Sequence, residues 1–142
     1  MYKAIILREA TFEIKNDVER LFMKTLLPAY VKLIIAHPIK RVYVCELIHS
    51  HAKHDFNLRV QAIKTLREHL SGAHDLVAFA CFAHMASLET EFDAQLFDVF
   101  LYYALVGIIS PLPLKRVYSL NILNSIAQFN PESLIGSLDK IE

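Results

Sequence analysis

The sequence predicts an all-α protein, and three observations predict it. Apolar residues recur at spacings of three and four along nearly the whole chain, which is the periodicity of amphipathic helices. No apolar–polar alternation lasts long enough to specify a strand. Three Gly and five Pro interrupt 142 residues of which 54% are hydrophobic, so the chain has the material for one packed core and is neither disordered nor collagen-like.

Each element follows in chain order. Asn16 is a good N-cap, Glu19 stands at the N3 position of a capping box, and Val18, Leu21, Phe22 and Leu26 keep helical spacing, predicting a helix over 16–26. Pro28 suits the first turn of a second helix over 27–36, which His37-Pro38 ends. Ile39, Val42, Tyr43, Leu47 and Ile48 carry a third over 39–52. Asn57 is the expected cap of a helix over 58–70, with Leu58, Ala62, Leu66 and Leu70 at spacing four, and Ser71-Gly72 its stop. Residues 74–88 are apolar nearly all round, predicting a buried helix. A polar connection, 89–93, leads to a helix ending at 109 before Ser110-Pro111, then to another over 114–129. Asn130-Pro131-Glu132 opens a partial C-terminal unit over 131–142. The expectation is seven helices and that last short one.

An internal repeat organises these helices. Pro38-Ile39-Lys40-Arg41-Val42-Tyr43 recurs as Pro113-Leu114-Lys115-Arg116-Val117-Tyr118, an offset of 75 residues. Half that offset falls at Ala73-His74-Asp75-Leu76-Val77, where another helix is expected to start. The chain thus divides into hairpins over about 27–52, 58–88 and 95–129, and a period of roughly 35–40 residues is that of stacked helical hairpins.

The residues that carry this pattern are Leu26-Leu27-Pro28, Leu33-Ile34, Pro38 and Arg41-Val42, with Pro113 to Tyr118 repeating the second half. They resemble the HEAT and armadillo-like helical repeats. The middle unit departs from the pattern, having Leu76-Val77 where a basic residue is expected. The resemblance spans roughly residues 26 to 130 and implies a single domain, 1–142. That domain is a right-handed α-solenoid whose second helices line a concave face, standing alone or as a segment of a longer array. It implies a non-enzymatic scaffold or protein-binding module with no cofactor.

Charge and targeting narrow the partners. Fifteen Lys/Arg balance fifteen Asp/Glu, so no net field draws the chain to nucleic acid or an anionic membrane. The longest apolar run, 99–109, has 11 residues, against about 20 for a membrane span. The N-terminal apolar run is too short for a signal peptide, and the expected location is cytoplasmic. Cys45 and Cys81 lie in apolar stretches without CxxC spacing and read as small hydrophobes. The expected partner is a protein presenting an acidic surface, or a second copy, or the rest of a larger assembly.

Two candidate sites follow. In the repeated motif Val42, Tyr43, Val117 and Tyr118 are expected in the core, leaving Lys40, Arg41, Lys115 and Arg116 displayed along one edge to bind carboxylates, or else paired with acids of the adjoining repeat. The alternative function is a metal-dependent phosphohydrolase. His54-Asp55 and His74-Asp75 are His-Asp doublets in a helical chain, which resembles the HD-domain hydrolases. The ligand set which that resemblance implies is His51, His74, Asp75 and Asp98. His84 is expected as a satisfied core histidine. No glycine-rich phosphate loop and no GxSxG occur.

Overall fold

The computed structural model describes residues 15–129, and every regular element among them is helical. Helix α1 runs without a break through 15–36. The expected division at Pro28 is replaced by a π-turn, Phe22–Leu26, in which the Leu27 N–H bonds to the Phe22 carbonyl. That wider turn places Pro28 in the first turn of the following α segment, Leu27–Ala36, where its missing N–H and fixed φ cost nothing. Asn16 is already helical, so it is not the cap.

A 3₁₀ turn, Pro38–Lys40, leads into α2, Arg41–Ala52. Helix α3, Phe56–His69, is capped by Asp55, whose carboxylate accepts from the Leu58 N–H at 3.2 Å. The expected cap, Asn57, lies inside it. Gly72 takes φ +60° and turns the chain through Gly72–His74 into α4, Asp75–Leu88. Asp93 caps α5, Ala94–Ile108, by accepting from the Leu96 N–H at 2.8 Å. Helix α6 is Pro113–Phe129. The partial unit expected over 131–142 lies outside the described residues.

Helices adjacent in sequence pack together, and so do those two apart: α1 on α3, α3 on α5, α2 on α4, and α4 on α6. The core runs through these contacts. Phe79, Phe82 and Phe100 are fully buried, with Ile34, Ile48, Ile63, Leu66, Leu96, Ile122 and Ile126; burying each side chain of this kind stabilises by about 1.5–3 kcal/mol. Phe82 of α4 stacks on Tyr103 of α5, with ring centroids 4.9 Å apart. Helices α4, α5 and α6 come together at Gly107, where a Cβ would stand 1.9 Å from Ser119 Oγ and 2.7 Å from Phe79 Cε1.

Candidate functional site

Helices α2, α4 and α6 together form a groove of about 450 Å³. Its floor is α4, where Ala80, Ala83, His84 and Ser87 fall on one face by their spacing of three and four. The two alanines are buried and short, so the floor lies low between its walls. One wall is Arg41 and Val42 of α2; the other is Tyr118, Asn121, Asn124 and Ser125 of α6. His84 is half-buried rather than core, and its Nε2 stands 3.3 Å from Glu46 Oε1 on α2. The groove offers amide, hydroxyl and guanidinium donors around a floor of two alanines, His84 and Ser87.

The four basic residues of the repeat do not share one fate. Lys40 is exposed and Arg41 half-buried at the groove. Lys115 turns inward: its side chain is 14% exposed, its ammonium binds the Asp75 carboxylate of α4, and it lies 4.6 Å from the Phe79 ring centroid. Arg67 of α3 binds the other oxygen of Asp75. Arg116 donates to the Ser110 carbonyl at 2.8 Å. Of the two alternatives for the repeated basic residues, Lys115 takes the second, pairing with an acid of the adjoining unit. Arg116 is turned to a backbone carbonyl, and Lys40 and Arg41 lie at the surface and the groove.

The apolar half of the motif also differs from expectation. Val42, Tyr43 and Val117 are 44%, 63% and 48% exposed, while Tyr118 is half-buried in the groove. Tyr118 has α4 beside it; α2 is first in its row among the described residues, so no helix covers the matching side of Tyr43.

Burial pushes the Asp75 carboxyl up, but hydrogen bonds from Lys115 and Arg67 outweigh it and hold the group below its ordinary value. Asp75 is thus committed to an internal three-helix junction. Of the other residues in the alternative metal set, His51 bonds the Tyr30 hydroxyl at 3.0 Å and lies against Phe22. His74 sits in the turn before α4, and Asp98 borders a second groove of about 590 Å³ between α3 and α5, with Lys64, Glu68 and Tyr102. The structure does not bring the four together; among the described residues no three His, Cys, Asp or Glu are placed to hold a metal ion.

A buried charge cluster escaped the sequence reading. Glu89, expected in a solvated connection, is buried at the end of α4, with Arg59 Nε at 3.1 Å and His49 Nε2 at 3.3 Å from its Oε1. Both approach at ion-pair distance without hydrogen-bond geometry. Arg59 also donates to the Lys53 carbonyl, and its guanidinium lies 4.2 Å from the Phe56 ring centroid. The cluster ties the end of α2, the start of α3 and the end of α4 into one corner. A signal for it exists: Arg59 stands on the stripe of Ile63, Leu66 and Leu70, all buried.

Cys45 of α2 and Cys81 of α4 are free, buried thiols in mutual contact. The neighbouring Cys81 thiol, then burial, push the Cys45 thiol far up, which removes its nucleophilic form at neutral pH. Among the described residues no helix is long and apolar enough to cross a membrane. No protein-family model, curated protein or solved structure matches the chain.

Proposed function

We propose that this chain is a non-enzymatic protein-interaction module, a short right-handed α-solenoid of HEAT or armadillo-like hairpins. On this reading its α2–α4–α6 groove receives an extended segment of a protein partner. The observation that carries the reading is the groove itself, formed by three second-position helices, α2, α4 and α6, and lined by neutral hydrogen-bonding side chains. The two rows of helices, α1–α3–α5 and α2–α4–α6, are the arrangement that stacked hairpins produce. Arg41 supplies the charge: it stands at the groove, and its guanidinium has no hydrogen bond or ion pair among the described residues, so it is available for a partner's carboxylate.

The test is selection of binders from a random peptide library, followed by affinity measurement against two variants. Ser87→Arg fills the groove, and Arg41→Glu reverses its charge. Selected peptides are expected to be acidic, and each variant to weaken their binding by at least about tenfold. Peptides that bind both folded variants as tightly as the parent would refute the reading.

A further inference from the structure

We infer that α6 is the contact helix of a homodimer, in which the face carrying Leu120, Leu123 and Ala127 packs against the same face of a second copy. The internal repeat identifies this face. With Lys115-Arg116-Val117-Tyr118 laid on Lys40-Arg41-Val42-Tyr43, Leu120, Leu123 and Ala127 coincide with Cys45, Ile48 and Ala52. Those three residues of α2 are buried, at 0%, 0% and 2% exposure, and the Cys45 thiol touches Cys81 of α4. In α6 the same positions are less covered: Leu120 is 49% exposed, and Leu123 and Ala127, which also touch the core, are only half-buried. The surface that α2 buries against later helices of its own chain is thus apolar and partly accessible on α6, most of all at Leu120 and Val117.

Charge selects the occupant. From Val117 to Phe129 the sequence of α6 holds no Asp, Glu, Lys or Arg. Arg116, just before that stretch, is turned to the Ser110 carbonyl, and Lys115 to Asp75. Two copies can therefore meet on a two-fold axis without placing like charges together, whereas a charged partner would find no complement. The opposite end of the row presents Tyr43 and Glu46 on α2. Pairing that end with α6 would bury an acid against Leu120 and leave both ends of the assembly open.

The experiment is the solution mass of the full 142-residue chain by sedimentation equilibrium, across roughly 1 to 100 µM, for the parent and for Leu120→Glu, Leu120→Gln and Glu46→Lys. The parent is expected to be dimeric. Leu120→Glu should raise the dissociation constant at least about tenfold, Leu120→Gln less, and Glu46→Lys should leave it unchanged, all with the parent's circular dichroism. A parent that stays monomeric throughout overturns the proposal. So does a dimer indifferent to Leu120→Glu, and so does open-ended growth that Glu46→Lys abolishes.

Discussion

Lys115 and Asp75 lie 40 residues apart and bind each other, ammonium to carboxylate, where α6 crosses the first turn of α4. With Arg67 on the same carboxylate, three helices converge on one acid. Its side chain is 22% exposed, so the junction is shielded enough to matter and open enough that its ions keep some water.

The junction makes stability depend on pH in one direction. Asp75 is held below its ordinary value, so its contribution is present above the unfolded carboxyl value of about 3.9 and is lost as pH falls through the folded one. Asp75→Asn is expected to lower stability by about 1.5–3 kcal/mol at neutral pH. The gap to the parent should close below about pH 4. Urea titrations of both proteins between acid and neutral pH check this; a gap that does not change with pH would contradict it.

Gly107 is expected to tolerate no side chain. Alanine there gains about 1 kcal/mol of helix propensity, but its Cβ would overlap Ser119 Oγ and crowd Phe79, and overpacking costs about 1–3 kcal/mol. Gly107→Ala should be no more stable than the parent, and Gly107→Val much less. Pairing Gly107→Ala with Ser119→Gly, which removes the nearer obstacle, should restore part of the loss in thermal melts.

At the buried corner, removing one partner should cost more than removing both. Glu89→Gln leaves the Arg59 guanidinium buried without its counter-ion, and is expected to destabilise by about 3–5 kcal/mol. Glu89→Leu combined with Arg59→Met should be less damaging than Glu89→Leu alone. A double-mutant cycle in urea measures this directly.

The two thiols report on opening. Cys45 and Cys81 are buried, so a thiol reagent should modify neither in the native protein and both in denaturant, at a native rate set by unfolding. Rapid native labelling would contradict the α2–α4 packing.

The helices were legible in the sequence because periodicity and stop signals are local. Gly72 marked a turn it does make, and the apolar surround of 74–88 marked a buried helix. The caps are legible in type rather than in place: Asp55, which the sequence also presents as half of a His-Asp doublet, stands three residues before Leu58 in the pattern of an N-cap. The duplicated Lys-Arg-Val-Tyr motif placed two equivalent helix starts, yet it could not say which side of each would be covered. Tyr118 has a neighbour that Tyr43 lacks, and Lys115 has an acid beside it that Lys40 lacks. Such differences arise from residues distant in the chain, and no spacing within the motif encodes them. Glu89 was hidden for the same reason, since its partners His49 and Arg59 come from other helices.

The most direct test of the account is the affinity of a selected acidic peptide for the parent and for Arg41→Glu, each at low and at physiological salt. Binding to the parent is expected to weaken as salt rises. Binding to Arg41→Glu is expected to be weaker by at least about tenfold, with the loss largest at low salt. Equal affinity for the two proteins at both salt concentrations, with Arg41→Glu folded, would contradict it.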